Sequence, residues 1–197
     1  MAAIPAPPRT NPLLRLGVAF SERSVGKRLE PARLLAWYPK AAIGFGVMEA
    51  LVAHRDGRLD ARLLQIVRLV ASLTASCPFC IDLNGMGRER NRLTDDEVRA
   101  LARLAGGDDL STGSGDSSWP ETVTPLERLA ARYAAVLSST PVEPDAILSE
   151  VTATFSHREV VVLATTIAQV NAWARLIRGL GILPAGFSDT CQVSRPA

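Results

Sequence analysis

The sequence predicts an all-α protein, a helical bundle in two halves, on three observations. Apolar residues recur at three- and four-residue steps along most of the 197-residue chain, as buried helix faces require. Thr94 and Ser156 each stand three positions ahead of a glutamate, Glu97 and Glu159, the reciprocal signature of a helix start. No alternating apolar and polar run bounded by hairpin turns appears with comparable strength.

Taken in order, residues 1–12 (MAAIPAPPRTNP) are proline-rich and read as an arm outside the core. Residues 13–187 read as one domain. Within it, Leu63, Leu64, Val67, Val70, Ala71 and Leu73 mark one face of a helix from about Asp60 to Ala75. Pro78 suits a first helical turn, where its missing N–H is no loss, so a second helix starts just after Cys77 and runs to about Arg90. Thr94 and Glu97 open a third, which Gly106 and Gly107 stop. The segment 106–120, GGDDLSTGSGDSSWP, is a polar loop with almost nothing to bury, and it separates the two halves. In the second half, Thr124 caps a helix with Pro125 in its first turn, and PDAILSEVTATF forms another. The long stretch after Ser156 closes the bundle and ends at Gly179 or Gly181, leaving residues 188–197 as a tail.

The composition, 47% hydrophobic and 21% charged with a formal net charge of +2, belongs to an ordinary globular protein. It offers no electrostatic case for nucleic acid. Arg55, Arg58, Arg62, Arg68, Arg88, Arg90 and Arg92 are interspersed with acids and read as solvated helix faces. No uninterrupted apolar run approaches the roughly 18 to 20 residues of a spanning helix. The most apolar segment, from Val160 to Ala174, carries Thr165, Thr166, Gln169 and Asn171 and suits a core helix, so no membrane partner is expected. The N-terminus lacks the basic start and apolar stretch of a secretory signal, which makes the cytoplasm the expected location.

The stretch TASCPFCIDLN, from Thr74 to Asn84, admits three chemistries: a redox pair, half a metal site, or two small buried residues. Thioredoxin-like proteins place such a pair after a strand, and no strand is expected here. Zinc wants about four ligands. Beyond the pair only Cys191, His54 and His157 remain, none in a ligand spacing. Packing explains each cysteine singly, yet not why both sit astride a helix start. With Cys77 as N-cap, Cys80 is the third helical residue, where free backbone N–H groups favour a thiolate over a thiol of ordinary pKa near 8.5.

The run from Gln65 through ASLTASCPFCIDLN to LTDDEV resembles the alkylhydroperoxidase D-like branch of the carboxymuconolactone decarboxylase family, whose mark is a glutamate, eleven residues, then CxxCxxxH. FSHREVVVLATTIAQVNAWARLIRGLGI resembles that branch's closing helix and LERLAARYAAVL the helix before it, so the similarity spans Pro31 to Phe187. The resemblance implies an alkylhydroperoxidase D-like bundle and a thiol-dependent peroxidase or disulfide reductase. Cys80 would attack the peroxide, Cys77 would complete the disulfide, and an external thiol reductant would restore the pair, with no flavin, haem or metal. Two motif positions depart: Gln65 stands where the family has glutamate and Asn84 where it has histidine. Neither side chain can take up and release a proton near neutral pH, so the usual relay is absent. Asp82, two residues past Cys80 and pointing away from it, and Glu127 are the candidate substitutes. The alternatives are a non-catalytic oligomeric member with packing cysteines, or a carboxymuconolactone decarboxylase-type enzyme.

Phe79, between the cysteines, is expected to shield them from water. Val160, Val161, Val162, Leu163, Ile167, Val170 and Trp173 cover more than one face of the closing helix, which predicts burial all round and a homo-oligomer with that helix in its interface. The resemblance also implies an oligomer. Gln169 and Asn171 on that helix need hydrogen-bond partners.

Overall fold

The computed structural model describes residues 2–110, 118–142 and 144–194. Among them there are ten helices and no strand, only an isolated bridge between Asp56 and Leu59. The helices are α1 Pro12–Val25, α2 Glu30–Leu35, α3 Pro39–Ala50, α4 Ala61–Thr74, α5 Pro78–Asn84, α6 Asp95–Ala105, α7 Pro125–Ser138, α8 Asp145–Thr154, α9 His157–Gly179 and α10 Thr190–Val193.

Helix α4 is the centre, packed against α5, α6, α7 and α9. It can be central because its sequence is apolar on more than one side: Leu63, Leu64, Ile66, Val67, Leu69, Val70 and Ala71 are all buried. Helices α7 and α9 complete the main core with Leu129, Ala130, Tyr133, Ala134, Leu163, Ile167 and Val170. The two halves therefore share one core. The expected helix starts are all present. Asp60 caps α4, and the capping boxes of α6 and α9 form as read, joined by one at Thr124 and Glu127 on α7.

Each capping glutamate has a second partner. Arg62 donates from Nε to Glu127 and from Nη2 to Glu97, each at 2.7 Å, and Arg58 donates from Nη2 to Glu159 at 2.6 Å. The starts of α6, α7 and α9 are thus gathered at the start of α4. Arg62, and Arg88, which pairs with Asp95 and Asp189, are not the solvated faces the sequence suggested, whereas Arg58 remains exposed while it holds Glu159. A capping carboxylate has lone pairs beyond those used by its own helix, and a guanidinium with five donors fills them.

Three other expectations change. Helix α5 ends at Asn84 rather than near Arg90, because the Gln65 side-chain amide takes the carbonyls of Asn84 and Met86. The chain then turns through Gly87 (φ +73°) and Arg92 (φ 56°). The loop 106–120 has something to bury: Leu110 and Trp119 join the main core, while its residues 111–117 lie outside the described ones. The stretch expected as a tail folds back, and Thr190 is fully buried against α5.

Helix α9 is also more nearly satisfied within its own chain than predicted. Leu163, Thr166, Ile167, Gln169, Val170, Ala174 and Ile177 are buried, and Val161 is its only large apolar side chain among the exposed ones. Gln169 donates to Glu49 at 2.9 Å, and Asn171 donates to Ser138 at 2.9 Å, the cross-helix bonds their position required. By length and composition α9 could cross a membrane, contrary to the sequence expectation, but here it is a core helix of the bundle.

The gathering of helix starts predicts an acid-dependent stability. Hydrogen bonding from Arg58 holds the Glu159 carboxyl at about 2, down from its ordinary 4.5. A carboxyl depressed by folding contributes stability that is complete above its unfolded value and is lost as pH falls through the folded one. Denaturant midpoints of the wild type should therefore decline between pH 4.5 and 2. Glu159→Gln should be less stable at neutral pH and lose part of that decline.

Candidate functional site

The site is built where α4 hands the chain to α5. Ser76 takes a left-handed conformation (φ 49°) and turns the backbone so that Cys77 caps the new helix. The Cys80 N–H donates to the Cys77 sulfur at 3.3 Å, so Cys77 is the cap as read, but the N–H contact falls on Cys77 rather than on Cys80, where the sequence placed the favoured thiolate. Cys77 and Cys80 are joined by a disulfide, with Cα atoms 5.2 Å apart. Cys77 is 0% and Cys80 3% exposed.

The bridge lies in a second, smaller apolar cluster. Leu34 of α2, Phe79, Ala174 and Ile177 of α9, and Ile182 surround it, with Ala2, Ala6 and Phe187 against the outside. The N-terminal arm is part of this cover. The Ala3 N–H donates to Leu180 at 2.9 Å, and the Trp37 indole N–H to the Pro5 carbonyl at 2.8 Å. Phe79 does shield the pair: it is 1% exposed and meets the Phe187 ring edge-on at 5.8 Å between centroids.

Gln65 and Asn84 are brought together beside this junction, and neither makes a hydrogen bond to a cysteine sulfur among those between described residues. Gln65 donates to the Asn84 carbonyl at 3.0 Å and the Met86 carbonyl at 3.1 Å, and accepts from the Asn91 amide at 2.6 Å. Asn84 donates to the Ser72 hydroxyl at 2.9 Å, which in turn donates to the Arg68 carbonyl at 2.7 Å. The pair is a buried polar network that ties the end of α5 to α4.

The candidate substitute bases are engaged elsewhere. Asp82 points away from the pair, as expected, and its carboxylate accepts from the N–H groups of Ala185, Gly186 and Ser188 at 2.7 to 2.8 Å. Gly85 admits the same strap: a Cβ there would collide with Thr190 and Ser188. Glu127 is held by Arg62 and Thr124. The Cys191 thiol donates to the Pro78 carbonyl at 3.3 Å, and Asp82 and Pro78 lie on the face of α5 opposite Cys80. Sequence reasoning missed this strap, although an aspartate in the middle of an otherwise apolar short helix was the signal for it. Among the described residues no group of three or more histidine, cysteine or acidic side chains could hold a metal ion.

Residues 42–110, from α3 through α6 and including the cysteines, match the model of the carboxymuconolactone decarboxylase family. The match covers 69 of the 197 residues. No curated protein matches the sequence. Among solved structures, the debrominase Bmp8 as a cysteine-to-alanine variant with 2,3,4-tribromopyrrole is similar at 16% identity over 99% of this chain and 100% of its own, with a TM-score of 0.75. The alkylhydroperoxidase AhpD core from Ralstonia eutropha, an uncharacterized peroxidase-related protein, is 15% identical over 100% and 98%, with a TM-score of 0.69. A protein of unknown function from Agrobacterium tumefaciens is 20% identical over 76% and 94%, with a TM-score of 0.61. The fold is thus the all-helical one of the alkylhydroperoxidase D-like proteins.

The strap gives the site its own test. Asp82→Ala would leave three backbone donors without their acceptor at a cost of about 3 kcal/mol if water does not replace it. Amide exchange at Ala185, Gly186 and Ser188 should accelerate well beyond that of α7. Unchanged exchange at these residues would show that the strap is held by something else.

Proposed function

We propose that this protein is a cytoplasmic thiol-dependent peroxidase or disulfide reductase that works by opening and closing the Cys77–Cys80 bridge. The observation that carries the reading is the bridge itself, placed at a helix start inside an apolar shell. In the reduced state the Cys80 thiolate attacks the peroxide oxygen, the O–O bond breaks, and an alcohol leaves once protonated. Cys80 is then a sulfenic acid. The Cys77 thiol attacks the Cys80 sulfur, water departs, and the disulfide forms. An external dithiol returns two electrons and two protons. Cys80 is assigned the attack because it has some exposure where Cys77 has none. The Cys80 N–H on the Cys77 sulfur favours Cys77 as the thiolate released when the bridge is reduced.

Gln65 and Asn84 set the pace in this reading. Both are neutral and hydrogen-bonded to their neighbours, so they hold geometry but carry no proton. Gln65→Glu would turn a donor toward the carbonyls of Asn84 and Met86 into a carboxylate. That environment raises a carboxyl pKa, as a proton carrier near neutral pH requires. Gln65→Glu with Asn84→His should therefore raise peroxide reduction, by up to about 10²- to 10⁴-fold, and each single change by less. An unchanged rate in a folded double variant would mean that the two positions are not those of a relay.

A second reading rests on burial. Sulfurs this enclosed suit a structural bridge in a non-catalytic member that serves assembly or ligand binding. Mass spectrometry separates the two. After reduction under native conditions and one equivalent of an organic hydroperoxide, the redox reading expects loss of two hydrogens from the peptide holding both cysteines. It also expects a trapped sulfenic acid at Cys80 in Cys77→Ser. A bridge that resists reduction until the protein unfolds would support the structural reading instead.

A further inference from the structure

With Cys77 at 0% and Cys80 at 3% exposure, thiol–disulfide exchange at the bridge waits on a movement of the shell around it, because the attacking sulfur must reach a bridge sulfur directly. The shell is drawn from α2 with Leu34, α9 with Ala174 and Ile177, Ile182 beyond α9, the strap with Phe187, and the arm with Ala2 and Ala6. These parts are not equally anchored. Helix α9 also belongs to the main core through Leu163, Ile167 and Val170. Helix α2 is seated by Leu34 and Leu35, both buried. The strap is held by the buried Asp82 carboxylate, by Phe187 on Phe79 and by the fully buried Thr190.

The arm has no comparable anchor. No residue from 2 to 30 is buried, so neither the arm nor α1 behind it sets a side chain in a core. Ala2 and Ala6, which pack against the cluster, are small, and Ile4 between them is 43% exposed. What holds the arm is the Ala3 N–H on the Leu180 carbonyl and the Trp37 indole N–H on the Pro5 carbonyl. Those two bonds sit on opposite walls of the shell. Leu180 leads from α9 into Ile182, and Trp37 follows α2 and its Leu34, so the arm ties the end of α9 to the end of α2 across the cluster. Gly181 lets it lie close: its φ is +61°, and a Cβ there would stand 3.5 Å from the Ala3 nitrogen. Pro5, Pro7 and Pro8 restrict the backbone of the segment, so it loses little conformational freedom when it docks.

The geometry points to residues 2–6 as a displaceable clasp over the Cys77–Cys80 bridge. Seated, the clasp keeps the sulfurs sealed; lifted, it frees the ends of α2 and α9 to part and admits a thiol to Cys80. Lifting it breaks two hydrogen bonds and uncovers no buried arm side chain, which makes it the least costly opening of the shell. The inference concerns access to the bridge and not turnover, so it does not rest on the peroxidase reading.

Reduction of the folded protein by dithiothreitol tests it, with the freed thiols trapped and counted by mass spectrometry. A reagent thiolate attacks one bridge sulfur, the other leaves as a thiolate, and the second reagent thiol closes the reagent ring, passing two electrons and two protons to the protein. Deletion of residues 2–6 should raise the rate about tenfold or more, as loss of a local closure does. Trp37→Phe, which keeps an aromatic ring and loses the N–H on Pro5, and Ala3→Pro, which loses the N–H on Leu180, should each raise it by less. Glu159→Gln, which loosens the helix starts at the other end of α4, should leave it within about twofold, and so separates local opening from global unfolding. The proposal is overturned by a rate unchanged in the deletion, by a bridge that still resists reduction there until the protein unfolds, by an equal acceleration in Glu159→Gln, or by a larger one in Asp82→Ala, which would make the strap the gate. If the shortened chain does not fold, the two point variants decide by the same rates: unchanged reduction in both overturns the proposal.

Discussion

Helix α4 is enclosed by four other helices, and that enclosure constrains everything around it. A polar group on an enclosed helix must find its partner inside the protein. Gln65, buried on α4, does so by taking the two carbonyls that a longer α5 would have used, and α5 therefore stops at Asn84. Ser72 anchors the side chain of that same Asn84. The length and seating of the cysteine helix follow from two polar residues on its neighbour.

The two ends of α4 are treated differently. At its start, charge gathers helices: Arg58 and Arg62 draw in the capping glutamates of α6, α7 and α9. Burial alone would raise the Glu97 carboxyl, but hydrogen bonds from Arg62, Thr122 and the Thr94 N–H outweigh it and hold the group below its ordinary value. At its other end apolar contact dominates. The bridge is sealed by Leu34, Phe79, Ala174, Ile177 and Ile182, with the N-terminal arm and the C-terminal strap outside them. The cysteines thus sit between a charged end and an apolar end of α4, under a cover drawn from α2, α9 and the N-terminal arm.

Local signals made much of this legible in the sequence. The capping boxes at Thr94 and Ser156, the proline after Cys77 and the cap role of Cys77 itself are interactions within a few residues, and each is where the sequence placed it. What escaped was long-range. The early end of α5 depends on a glutamine nineteen positions upstream, and the strap on Asp82 reaches residues more than a hundred positions away. The burial of Leu110 and Trp119 was visible only as two apolar residues in a polar loop. The apolar character of α9 was read correctly, but its cover comes largely from its own chain, and the bare surface lies on α1 and α3, where no single residue announced it.

The central claim is that a buried bridge in this fold is a working redox couple. Turnover tests it most directly: catalytic amounts of protein, an excess of an organic hydroperoxide, and an excess of a dithiol reductant, with peroxide consumption followed against Cys80→Ser. The account predicts many equivalents of peroxide reduced per chain, with none above background in Cys80→Ser. Consumption that stops at one equivalent, or that is the same in Cys80→Ser, would contradict it.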